Sequence, residues 1–163
     1  MKKIIILILL SLLFFILDNI LMPFIGIRGV YPSILMVFCI LYSFQNGKWE
    51  GLWLGVFCGL LQDVYFSNAF GINVVVNMTI CLIAGEIGTK IFKERKLVPV
   101  LSCFLLTLLK GAAIFLILYC YGTYMDFSRV FLVSIYNMVI SFFMFKLVYK
   151  LCQEVYMQIR WKF

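Results

Sequence analysis

The chain of 163 residues contains no histidine. That absence removes Ser-His hydrolysis, His-based phosphatase chemistry and His-ligated metal sites, so any proton chemistry falls to carboxylates or lysine. Charge is scarce too: charged residues make up 13% of the chain, and only 7 are acidic. A soluble domain of this size could not bury the apolar surface that remains. The six cysteines (Cys39, Cys58, Cys81, Cys103, Cys120 and Cys152) include no C-x-x-C pair, and five of them lie in apolar runs where a thiol behaves as a small hydrophobe. They carry no information on redox compartment. No Gly-rich phosphate loop, metal cluster or nucleophile constellation occurs. Enzyme activity has no residue to rest on, and no cofactor or metal is implied.

What is present is hydrophobicity, with 65% apolar residues and a mean hydropathy of +1.10. The expectation is an all-α, polytopic integral membrane protein. At about 20 apolar residues per crossing the chain has room for at most about six to seven spans, and the chemistry must sit among the helices.

The amino terminus, Met1-Lys2-Lys3 and then IIILILLSLLFFIL, has the charge and core of a secretory signal but no small-x-small cleavage site. A retained first helix over 4–22 is expected. PFIGIRGVYP, with turn formers on both sides of Arg28, is a loop of interfacial character. Apolar runs over 30–44 and 51–66 flank the hinge QNGKWE. Each would extend only about 23 to 24 Å as helix, short of a hydrocarbon core of about 30 Å. Two short full spans are preferred to a re-entrant hairpin, because Lys48 and Glu50 would otherwise lie at membrane depth. Beyond the turn SNAFG come spans over 72–92, 97–121 and 129–149, separated by the basic cluster Lys93-Glu94-Arg95-Lys96 and the loop GTYMDFS. Residues 150–163 read as a cytoplasmic, interfacial tail. The whole is one transmembrane domain, a six-helix bundle.

Eleven cations (Lys2, Lys3, Lys48, Lys90, Lys93, Arg95, Lys96, Lys146, Lys150, Arg160 and Lys162) gather on one side of that scheme, against Arg28 and Arg129 on the other. The positive-inside rule puts both termini in the cytoplasm. Trp49, Trp53 and Trp161 fall near the same boundary, as an aromatic belt requires. The net charge of +7 reflects topology and contact with anionic membrane lipids; with no basic domain or stripe, a nucleic-acid partner is not expected.

The sharpest local pattern is Gly51-LWL-Gly55-VFC-Gly59-LLQ-Asp63. Residues four apart share a helix face, so the glycines form a flat groove for close approach of another backbone, with Asp63 at its end. An internal packing seam is the first expectation, and a docking face for a partner helix the second. Four ionisable residues, Asp18, Asp63, Glu86 and Lys110, lie within apolar runs and should face the interior as a polar network. Lys110 is expected to pair with Asp63 or Asp18, and Glu86 with Lys90 at i+4. Asn19, Asn73, Asn77, Thr79, Asn137 and Ser141 add hydrogen-bonding groups that glue helices together.

Taken together, Asp18 at the end of helix 1, YPSILMVFCILYSF from Pro32, QNGKWEGLWLG, GVFCGLLQDVYFSNAFG and INVVVNMTICLIAGEIG resemble the MreD family, the rod-shape-determining inner-membrane proteins of bacteria. The carboxyl half matches that family only in hydropathy. The resemblance implies a non-enzymatic scaffold of the cell-elongation machinery in the bacterial cytoplasmic membrane. It would bind an MreC-like bitopic protein, and through it an MreB-like filament and the peptidoglycan polymerase complex. It also implies a fold similar to the substrate-binding subunits of energy-coupling-factor transporters. Hence the alternative function, a small-molecule-binding subunit of a vitamin-type transporter, which needs a cavity lined by polar groups from several helices. A third reading, a permease relaying protons through Asp18, Asp63 and Lys110, needs a helix broken mid-membrane. The short runs around QNGKWE come nearest to supplying one.

Overall fold

A computed structural model describes residues 2–26, 29–65, 70–90, 97–120, 122, 127–155 and 157. Outside the described residues lie Arg28, residues 67–69 of the SNAFG turn, the 93–96 basic cluster, residues 123–126 of GTYMDFS, and residues 158–163 of the tail, with Trp161.

Among the described residues seven helices follow one another: α1 (Lys2–Ile20), α2 (Met22–Ile25), α3 (Ile34–Asn46), α4 (Lys48–Tyr65), α5 (Ile72–Lys90), α6 (Leu97–Cys120) and α7 (Phe127–Gln153). No strand occurs among the described residues. Among the described residues four helices are long and apolar enough to cross a membrane, namely α1, α5, α6 and the Ser128–Gln153 stretch of α7.

The centre of the bundle is α3, although it is the shortest helix of the core. Every residue from Leu35 to Phe44 is buried, because α1, α4, α5, α6 and α7 all pack against it. A helix apolar on all sides has no face for water or lipid. Phe14 of α1 packs its ring 5.0 Å from that of Phe38. Four of the six cysteines, Cys39, Cys58, Cys81 and Cys103, are free thiols within this core.

Although the apolar run begins at Val30, helix α3 begins at Ile34. Tyr31 precedes a proline and is biased away from the helical region, and Ser33 adopts extended geometry at the N-cap. Thirteen helical residues rise only about 20 Å. The extended residues ahead of α3 supply the rest of the path.

The two ends of the bundle have different side chains. At one end Lys3 Nζ meets Glu50 Oε2 at 2.7 Å, with Tyr42 donating to Glu50 Oε1's partner oxygen Oε2 at 2.8 Å, and Lys48 and Lys90 flank Glu86 at 3.6 and 3.0 Å. The start of α1, the α3–α4 hinge and the end of α5 thus share one end, and Asn46 brings in the last turn of α7 through Cys152, 3.1 Å away. At the other end lie Asp18, Ser33, Asp63, Asn73 and Lys110.

Candidate functional site

The glycine row lies against α5. An added Cβ at Gly59 would stand 2.5 Å from Val74 Cα and 2.8 Å from the Asn73 carbonyl oxygen. At Gly55 it would stand 2.8 Å from the Asn77 carbonyl oxygen, and at Gly51 2.5 Å from Ser43 Oγ and 3.0 Å from the Cys81 carbonyl oxygen. All but the last are distances real Cβ atoms essentially never show, and at Gly55 and Gly59 the neighbour is the backbone of α5, so α4 and α5 approach backbone to backbone there. A second small-residue pair, Gly85 and Gly88, faces the backbone of Lys48 and Phe44 from the other side. The sequence reading missed that pair, although AGEIG carried the same small-residue signal.

Asp63, at the end of the row, is 1% exposed. Its Oδ2 accepts from the backbone N–H of Gly71 at 3.0 Å and of Val74 at 3.1 Å. Its Oδ1 accepts from the N–H of Asn73 at 3.1 Å and from Asn73 Nδ2 at 3.0 Å. The carboxylate therefore caps α5, receiving N–H groups that have no partner within their own helix. Gly71 makes the turn possible, since its φ of +100° lies in the left-handed region.

Asp18 does the same for α3. The N–H of Ile34 donates to its Oδ1 at 2.6 Å, and the N–H of Leu35 and the hydroxyl of Ser33 donate to its Oδ2 at 3.1 and 2.8 Å. The N–H of Met36 goes to Ser33 Oγ at 3.2 Å, and that of Ser33 to Asn137 Oδ1 at 2.9 Å. Every early N–H of α3 is thereby satisfied by α1, α7 or Ser33 itself. Asn137 lies ten residues into α7, which puts it about 15 Å along that helix. The start of α3 is correspondingly deep.

Lys110 of α6 departs from the expected pairing with Asp63. Its ammonium donates to Gln62 Oε1 at 3.0 Å and lies 3.7 Å from Met36 Sδ. Asp18 is within electrostatic range, yet no carboxylate oxygen lies within 4 Å of Lys110 among the described residues. The reason is competition: the oxygens of Asp63 and Asp18 are already occupied by helix N–H groups. Gln62 Oε1 is shared, for it also accepts from Asn77 Nδ2 at 2.9 Å. Glu86 stands apart from this group at the opposite end, half-exposed between Lys48 and Lys90. The structure thus gathers Asp18, Asp63 and Lys110 in one half of the bundle and leaves Glu86 in the other.

A cavity of about 180 Å³ opens beside Lys110, walled by Asp18, Tyr31, Ser33, Gln62 and Asn73. Ser33 and Gln62 were not singled out from the sequence. The Pro32-Ser33 pair ahead of an apolar run carried an N-cap signal for the first, while nothing local distinguishes Gln62.

The chain matches the family described as rod shape-determining protein MreD over residues 1–155. It belongs to the MreD family. The match takes in every described helix, α7 included, whereas motif resemblance alone reached only the amino-terminal half. No curated protein and no solved structure matched the chain. Membership makes this MreD chain a bacterial inner-membrane protein of the rod-shape-determining system.

Proposed function

We propose that this MreD protein is a non-enzymatic scaffold of the cell-elongation machinery. It crosses the membrane six times with both termini in the cytoplasm, binds an MreC-like bitopic partner, and through that partner links an MreB-like filament to peptidoglycan synthesis. The observation that carries the reading is the family match over residues 1–155. The chemistry of the interior supports it: Asp18 and Asp63 accept from peptide N–H groups, which do not ionise, so both carboxylates are engaged in capping helices. The glycine row is occupied by α5, which leaves the apolar outer faces to the partner. On α7 the exposed Phe131, Ile135, Met138 and Phe142 form one such face. The clustering of Lys3, Lys48 and Lys90 at one end supports the cytoplasmic assignment.

The test is complementation and co-purification in a rod-shaped bacterium depleted of its own MreD. The expected result is restored cell width together with capture of an MreC-like protein. Restored width without any such capture, even after crosslinking, overturns the scaffold mechanism. Topology has its own check: in a cysteine-free background a single cysteine at position 47 should resist an impermeant thiol reagent applied outside, while one at position 122 should react.

A further inference from the structure

The cavity beside Lys110 holds a cation that makes no direct ion pair among the described residues, although the Asp18 carboxylate lies within electrostatic range. Elsewhere in the same molecule a buried lysine is matched directly, with Lys3 Nζ 2.7 Å from Glu50. Lys110 Nζ has instead one amide oxygen, Gln62 Oε1, and a thioether, Met36 Sδ, which is a weak acceptor. The ammonium has three N–H donors, and Gln62 Oε1 is already shared with Asn77.

Two of the other polar walls are already engaged. Asp18 carries three bonds from the start of α3, where its charge offsets the positive end of that helix dipole. Asn73 Nδ2 is bonded to Asp63. What the cavity presents to a visitor is the Lys110 ammonium, with N–H capacity left over, beside an Asp18 carboxylate whose oxygens are committed to the start of α3, and with the half-exposed ring of Tyr31 among its walls. The cavity draws on α1, the 31–33 segment, α4, α5 and α6, so it is built by the fold rather than by one loop.

We propose that this cavity is a binding site for a small anionic group, a carboxylate or phosphate, whose charge pairs with the Lys110 ammonium. The group belongs either to a soluble molecule entering from the aqueous phase or to the head of an anionic lipid. The proposal stands independently of the scaffold reading, since it requires no protein partner.

The experiment uses the full chain with its native cysteines replaced by alanine and a single reporter, Asn19→Cys, at the wall of the cavity. Modification rates are measured in detergent with the anionic sulfonatoethyl methanethiosulfonate and with its cationic trimethylammoniumethyl counterpart. The expected result is a preference for the anionic reagent, about fivefold for one nearby charge in a partly hydrated site. That preference should persist in Lys110→Arg and vanish in Lys110→Gln. Sodium phosphate or acetate, compared with chloride at equal ionic strength, should slow modification if the natural group is soluble. Slowing only after phosphatidylglycerol is restored in nanodiscs would assign it to a lipid head. No preference between the reagents, or one unchanged by Lys110→Gln, overturns the proposal. Should Lys110→Gln fail to accumulate, the decision falls to the Lys110 protein itself: a rate untouched by phosphate, acetate and phosphatidylglycerol alike overturns it.

Discussion

The two ends of this bundle treat carboxylates in opposite ways. At the end carrying both Lys3 and Lys90, Glu50 and Glu86 pair with lysines. At the other end, Asp18 and Asp63 ignore the one lysine within range and accept backbone N–H groups instead. Depth explains the difference. Helices α3 and α5 both begin at this second end, and α3 begins level with Asn137, about 15 Å along α7, where neighbouring side chains satisfy its first N–H groups. A carboxylate close to such a terminus meets several orphan donors and the positive end of a helix dipole at once. Helix capping therefore wins the carboxylates, and the buried cation is left over. The same competition both anchors α3 and produces the charged cavity.

If capping is the role, the largest effect belongs to Asp63→Ala. It strands four donors at about 1 to 3 kcal/mol each in a buried setting, a loss comparable with the whole stability of a domain. Little protein should reach the membrane, and Asp18→Ala should behave similarly. Adding Lys110→Met should not restore accumulation, because Lys110 is not the partner of Asp63. Rescue by that second substitution, read on membrane immunoblots, would show that the two ends follow the same ion-pair logic after all.

Next comes the paired end. Lys3→Met leaves Glu50 buried with only Tyr42 donating to it, a loss of about 3 kcal/mol by the general cost of breaking a buried pair. The thermal midpoint of the detergent-purified protein should fall clearly, and a Lys3→Met/Glu50→Leu double variant should recover most of the loss. A midpoint unmoved by Lys3→Met would mean that this end is held by packing alone.

The seam between the ends gives a graded series. Gly59→Ala presses a methyl into the α5 backbone, whereas Gly51→Ala meets the side chain of Ser43 as its nearest atom. Overpacking of a tight contact costs about 1 to 3 kcal/mol, so Gly59→Ala should lower the midpoint markedly and Gly51→Ala less. The reverse order in the same melting assay would mean that Ser43 cannot give way.

The helical and membrane character was legible because hydropathy acts over whole segments, and α6 occupies Leu97–Cys120, a stretch uncharged but for Lys110. The face shared by Gly51, Gly55, Gly59 and Asp63 followed from a period of four. The identity of the seam's partner did not, although a short connection between α4 and α5 made that pairing the simplest one. The start of α3 was obscured because Val30 is as apolar as the residues that follow, and only Pro32 and Ser33 mark the boundary. The partners of Lys110 were not legible at all. A pairing guess from opposite charge omits backbone donors, and here five peptide N–H groups contributed by Gly71, Asn73, Val74, Ile34 and Leu35 outcompete one ammonium.

The smallest effect should come from Glu86, the intramembrane carboxylate that the sequence grouped with Asp18, Asp63 and Lys110. It sits one turn from the end of α5, half-exposed, with Lys90 at i+4 in the favourable order and Lys48 across the hinge. Exposed pairs of this kind contribute little, because water already solvates both partners and salt screens what remains. Glu86→Gln should therefore accumulate normally and melt with the native protein at both low and high ionic strength. It should also support rod shape in the depletion strain, where Asp63→Ala does not. A large loss of accumulation for Glu86→Gln would place this residue within the hydrocarbon rather than at its edge. The contrast between a water-facing, ion-paired end and a deep, helix-capping one would then fail at its best-exposed residue.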